Sequence, residues 1–226
     1  MLATFAIEIA FAAYIVWRYK MTVITRLVTA ILVCLATFQA AEYMICGGMG
    51  LQASVWSRLG YSAITLLPPL GIHLVLAIAK KRNPLLLTAT YASAVGFVGY
   101  YAFATAAISG GTCYANYAVF NTHAASTIPY SLFYYGWLLV GVGMALYYAS
   151  KQKDRAKALH AYAMGYAAFI IPTTAINLID PSTISGIPSI MCGFAIILAF
   201  FLVGKVAPEA IALKQTTRPL KLRFPF

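Results

Sequence analysis

The chain has 226 residues, of which 62% are hydrophobic and 9% charged, and its mean hydropathy is +0.81. A soluble domain carries about 25% charged residues, so this composition excludes one and points to a polytopic membrane protein. The net charge of +11 is no nucleic-acid footprint, because the basic residues sit in short clusters between apolar runs.

Seven apolar runs follow in order, at approximately 2–17, 23–46, 59–79, 84–108, 128–150, 158–179 and 186–205. Each is near the ~20 residues a bilayer core requires. The first is read as an uncleaved span: no basic residue precedes it, Glu8 interrupts it, and Arg18 and Lys20 follow it. The prediction is an all-α fold, a bundle of seven transmembrane helices over 1–205, followed by a basic cytoplasmic tail over 206–226. No separate soluble domain is expected.

Charge sets the orientation. Arg18, Lys20 and Arg26 follow span 1, Lys80, Lys81 and Arg82 follow span 3, and Lys151, Lys153, Arg155 and Lys157 follow span 5. Lys205, Lys214, Arg218, Lys221 and Arg223 close the chain, so fifteen of sixteen basic residues share one side, with Arg58 the exception. Basic loops stay cytoplasmic, which places the N-terminus outside and the C-terminus inside. A bacterial or archaeal cytoplasmic membrane is the expected location.

The most polar membrane stretch runs from Gln39 to His73, two spans joined by a glycine-rich turn. At ~1.5 Å per residue, Glu8 and Glu42 both lie roughly 10 Å below the outer boundary. Gln39 is one turn from Glu42 on the same face, and Asn177 and Asp180 reach that side from span 6. Arg58 supplies a fixed cation there. The expectation is an outer polar cluster of Gln39, Glu42, Arg58 and Asn177, with Glu42 and Arg58 as an ion pair. The alternative for Glu8 and Glu42 is that they snorkel to the headgroups, or pack in the bundle protonated.

The connections on that side, 47–57 and 109–127, are rich in Gly, Ser, Thr, Asn and aromatics. Tyr114, Tyr117, Phe120 and Tyr130 read as an interfacial aromatic belt or as part of a lid over an outward-facing cavity. Cys46 and Cys113 both fall at outer helix ends, where an oxidising compartment allows either a bridge or two free thiols. Cys34 and Cys192 lie within spans as small packing residues. No zinc spacing is present, and neither a metal nor a cofactor is expected.

His73 lies roughly 20 Å inward, too deep to pair with Glu42. Pro68 and Pro69, one turn earlier, free backbone carbonyls and predict a kink. His73 is then a packing residue, a proton relay or part of a pathway wall. Span 6 echoes span 3: Gly60-Tyr61-Ser62-Ala63, Pro68 and His73 align loosely with Gly165-Tyr166-Ala167-Ala168, Pro172 and Asn177. A true inverted repeat with broken helices would be a transporter signature.

Catalysis finds no constellation. His73, His123 and His160 fall on different elements, and neither His-x-x-x-His nor Gly-x-Ser-x-Gly occurs. A retinal protein is disfavoured, because span 7 lacks a lysine at its middle and Lys205 lies at its end.

Pro172 within span 6, Pro188 opening span 7, and passage from Ile187–Lys205 straight into a basic segment give the chain its one resemblance. On this plan it resembles the N-terminal seven-transmembrane sensory region of bacterial histidine kinases. The resemblance implies a sensing or scaffold module. The 21 residues after Lys205 carry no phosphoacceptor histidine or nucleotide-binding segment, so such a module would act through another protein. The function expected is therefore a receptor-like sensory or scaffold module with a cytoplasmic or membrane signalling partner. The alternative is a small-molecule or proton-coupled transporter with proline hinges at Pro68, Pro69 and Pro172. The lipid bilayer is the other partner, nucleic acid is not one, and the sequence names no ligand.

Overall fold

The computed structural model describes residues 1–47, 50–104, 107–114, 117–180, 183 and 186–211. Its helices are α1 (Leu2–Arg18), α2 (Val23–Gly47), α3 (Ala53–Thr65), α4 (Leu67–Ile78) and α5 (Pro84–Phe103). A hairpin of β1 (Ile108–Cys113) and β2 (Ala118–Thr122) follows, then α6 (Ala124–Lys151), α7 (Lys153–Ile179) and α8 (Ile187–Phe201). A π-helical turn over Leu202–Val206 carries α8 into the short α9 (Ala207–Ala210). The tail positions Lys214, Arg218, Lys221 and Arg223 lie outside the described residues.

Among the described residues, six helical stretches are long and apolar enough to cross a membrane: Val23–Gly47, Ala53–Ile78, Pro84–Phe103, Ala124–Lys151, Ala156–Ile179 and Ile187–Ala210. They fit a multi-pass membrane protein. With 17 residues, α1 is shorter than any of these six stretches, of which Pro84–Phe103 has the fewest, 20. It extends about 26 Å, somewhat less than the ~30 Å hydrocarbon core.

Three of the expected boundaries move for local reasons. The third run begins at Ala53 rather than 59 and is broken at Leu66. Pro68 and Pro69 cannot donate to the carbonyls of Ile64 and Thr65, and their rings crowd those groups, so α3 ends and α4 restarts with the prolines in its first turn. The fourth run stops at Phe103 instead of 108, because the chain turns extended at Ala104 and enters the hairpin. The sixth run begins at Lys153, five residues early, and passes Pro172 as one continuous helix. The paired hinges expected in spans 3 and 6 are therefore unlike: one is a helix break, the other an uninterrupted helix.

The fold departs from all-α at the 109–127 connection, a two-stranded antiparallel hairpin. Ile108 pairs with Thr122, Gly111 with Phe120, Thr112 with Val119 and Cys113 with Ala118, with an irregularity between Ile108 and Gly111. Gly110 sits there at φ 147°, backbone that an L side chain rarely adopts.

Caps account for the remaining ends. Asn83 accepts from the Leu86 amide at 3.1 Å ahead of Pro84, and His123 Nδ1 accepts from the Ala125 amide at 3.3 Å to start α6. At the end of α4, Lys80 takes φ 50°, the Lys80 amide binds Ala77 O, and the Lys81 amide binds Leu76 O, a Schellman termination without glycine. Arg155, from α7, donates to the Ile78 carbonyl at the same helix end.

The core runs through the bundle from Ile15, Ile31 and Leu35 to Leu74, Tyr162, Tyr166 and Leu198, all fully buried. Close approach is built at Gly71, where an added Cβ would lie 2.6 Å and 2.7 Å from the Tyr166 and Tyr162 hydroxyls. Those two rings stack at 4.3 Å, which pins them against α4. By contrast, α5 buries only Thr90, Ala94 and Tyr101 and is peripheral.

Candidate functional site

The hairpin covers a cavity of about 390 Å³ between the ends of α3, α5, α6 and α8. Its walls are aromatic: Tyr61 and Tyr101 from α3 and α5, Phe120 from β2, and Tyr130, Tyr134 and Tyr135 from α6. Ile64, Val119, Ile187 and Met191 complete the apolar lining, and Asn121, Thr122, Thr127 and Ser131 add uncharged polar groups. Among the described residues, no charged side chain lines it.

Rings hold one another in place. Tyr61 lies 4.9 Å from Tyr101, 5.3 Å from Phe120 and 5.5 Å from Tyr130, and Tyr101 meets Tyr130 edge to face at 5.2 Å. Such pairs add to simple area burial. The Thr65 hydroxyl donates to Tyr61 O at 2.6 Å and stands 3.1 Å from the Tyr130 hydroxyl. Its single proton is committed to the carbonyl, so Tyr130 is the donor to Thr65. The wall is thereby anchored one residue before the helix break at Leu66.

A disulfide fixes the roof. Cys46, at the end of α2, is bonded to Cys113, the last residue of β1, with Cα atoms 5.6 Å apart. Beside it, a Cβ on Gly111 would come within 3.2 Å of Ile45 and 3.3 Å of the Val119 carbonyl. Ala118, which opens β2, donates its amide to Ser189 Oγ on α8 at 3.1 Å. The hairpin is thus tied at both strands.

The expected polar cluster does not assemble. Arg58 Nη1 donates to the Ala102 carbonyl at 2.9 Å, serving the end of α5, where a cation suits the helix dipole. No ion pair joins it to Glu42, whose Oε1 has no hydrogen-bonding partner among the described residues. Gln39 and Glu42 are both buried on α2. Asn177 is occupied at its own helix end, where its Oδ1 accepts from Thr183 at 2.6 Å.

Snorkelling is also overturned. Glu8 is 0% and Glu42 1% exposed, so neither reaches the headgroup side. The aromatic belt is corrected for two of its four members: Phe120 and Tyr130 are buried in the cavity wall, while Tyr114 is exposed and stacks on Tyr117 at 4.9 Å at the hairpin tip.

The histidines stand apart. His73 Nδ1 lies 3.1 Å from the Tyr91 hydroxyl, a half-buried packing contact between α4 and α5. His123 caps α6, and His160 is exposed on α7. Among the described residues, no group of three or more His, Cys, Asp or Glu side chains could hold a metal ion.

Sequence reading missed Tyr61, Tyr101, Tyr134 and Tyr135 as site residues. The signal was there in Tyr130 and Tyr134, four apart on one helical face, but apolar spans hide which aromatics face a cavity. No family model matches the chain, and the comparisons with curated proteins and with solved structures find no match.

Proposed function

We propose that the protein is a receptor-like membrane module of seven spans, N-terminus outside, that binds a small uncharged ligand beneath the hairpin and acts through a partner protein. The observation that carries this reading is the cavity of about 390 Å³, walled by tyrosines and roofed by a disulfide-tied hairpin. Ligand sites are typically concave, mostly apolar and furnished with a few polar groups, at roughly 300–1,000 Å³. The described lining, of hydroxyls, one amide and uncharged rings, suits a largely apolar molecule carrying one or two hydrogen-bonding groups. The plan it shares with kinase-linked sensory regions supports a partner reading the opposite, basic end. A transporter is the second reading, favoured by the break at Leu66 beside the cavity, since broken helices border transported substrates.

Photolabelling tests the site. A diazirine-bearing octanol, irradiated with the purified protein, is expected to mark Tyr101, Tyr130 or Tyr134, and Ser131→Trp, which fills the cavity, is expected to abolish those marks. Labelling confined to lipid-facing Ile128 and Leu132, unchanged by Ser131→Trp, contradicts the proposal.

A further inference from the structure

Away from the aromatic cavity, α1, α2 and α8 enclose two carboxylates. Glu8 is fully buried, and neither of its oxygens has a hydrogen-bonding partner among the described residues. Glu42 is buried as well, with Oε1 unpartnered. The two lie close enough for each charge to be felt by its neighbours: Glu42 acts on Glu8, and both act on the Cys192 thiol of α8. Ser189, one turn before Cys192, is buried beside Glu42, and Gln39 is buried one turn along α2. The other titratable group facing the pair is the amine at Met1. Arg58, the cation expected beside Glu42, donates to the Ala102 carbonyl.

Isolated ionised carboxylates are among the costliest groups to bury, and breaking a pair's charge balance is worse than never having it. Two of them buried on the packed helices α1 and α2, with three oxygens unpartnered among the described residues, demand positive charge. We propose that Glu8 and Glu42 form a binding site for one monovalent cation, a sodium ion or a proton, between α1, α2 and α8. Hard cations take oxygen donors, and three carboxylate oxygens with the Ser189 hydroxyl supply them. The lack of a third acidic, histidine or cysteine ligand among the described residues suits a single charge rather than a divalent ion.

Occupancy would be felt at the hairpin. Ser189 accepts from the Ala118 amide, and β2 runs from Ala118 along the cavity to Thr122. Filling the site offsets one of the pair's two charges and holds Ser189, beside Glu42, in register under the first residue of that strand.

The test uses the full chain, purified in detergent, with thermal unfolding followed as sodium chloride replaces choline chloride at constant ionic strength. A bound sodium ion raises the midpoint saturably, by roughly 3–6 °C per tenfold increase above its Kd, with no response to choline. A bound proton instead gives a midpoint that falls as pH rises from about 5 to about 9 whatever the sodium concentration, because only the folded state confines the ionised pair. Either response is expected to vanish in Glu8→Gln/Glu42→Gln. Dicyclohexylcarbodiimide, which adds covalently to protonated buried carboxyls, gives a reading on the unmutated protein. Modification mapped to Glu8 or Glu42, slowed by sodium or by alkali, supports the site even where the variants fail to fold. Indifference of the midpoint to sodium, with a pH response that persists in the variants or no carbodiimide modification of either glutamate, overturns it.

Discussion

Single residues decide how the cavity wall is held. Thr65 directs its proton to Tyr61 O and receives the Tyr130 hydroxyl, so one side chain joins the end of α3 to α6. Thr65→Val keeps the shape and removes the acceptor, leaving a buried phenol unsatisfied. The expected cost is about 1–3 kcal/mol. Thermal unfolding in detergent checks it, with Thr65→Ser losing markedly less; equal losses would mean that shape, not the hydrogen bond, holds the wall. Residue chemistry was legible in the sequence where it depends on composition, as with the buried polarity of Gln39 and Glu42. It was not legible where the partner is backbone. Arg58 donates to the carbonyl of Ala102, 44 residues away, and carbonyls carry no sequence signature. Glu8 looked able to snorkel because its burial is created by α2 and α8, not by its own helix.

At the scale of elements, prolines and cysteines were the readable punctuation. Pro68 and Pro69 announced the discontinuity between α3 and α4, and Cys46 and Cys113 were singled out as a possible bridge before the structure joined them. Pro172 carried the same expectation and does not break α7, so proline alone was insufficient to separate a break from a tolerated interior position. The hairpin was hidden because its strands are short and its sequence, Ile108-Ser-Gly-Gly-Thr-Cys113, is glycine-rich and reads as loop. The bridge spans a sequence separation of 67, for which the chain-entropy account gives at most about 4 kcal/mol. Its local effect is the more direct prediction. Reduction, or Cys46→Ser with Cys113→Ser, frees β1 from α2 and exposes the tip, so chymotrypsin is expected to cut at Tyr114 and Tyr117 several-fold faster. An unchanged cleavage rate would mean that strand pairing and the Ser189 contact hold the roof unaided.

For the whole molecule, the two ends of the bundle differ in chemistry. One carries the hairpin, the disulfide and the mouth of the aromatic cavity; the other gathers Lys80, Lys81, Arg82, Lys151 and Lys153. The long apolar helices and the basic clusters between them were legible in the sequence, because hydropathy and charge are local properties. The cavity was not, because its wall joins five elements that meet only in the folded bundle. The account stands or falls on the cavity facing the outside. The direct measurement is thiol labelling of Ser131→Cys by a membrane-impermeant reagent, in intact cells and in inverted vesicles, beside Lys81→Cys and Lys153→Cys. The account predicts that Ser131→Cys reacts in intact cells alone, and the two lysine replacements in inverted vesicles alone. Reaction of Ser131→Cys only from the side that also reaches Lys81→Cys, or from neither side, would contradict it.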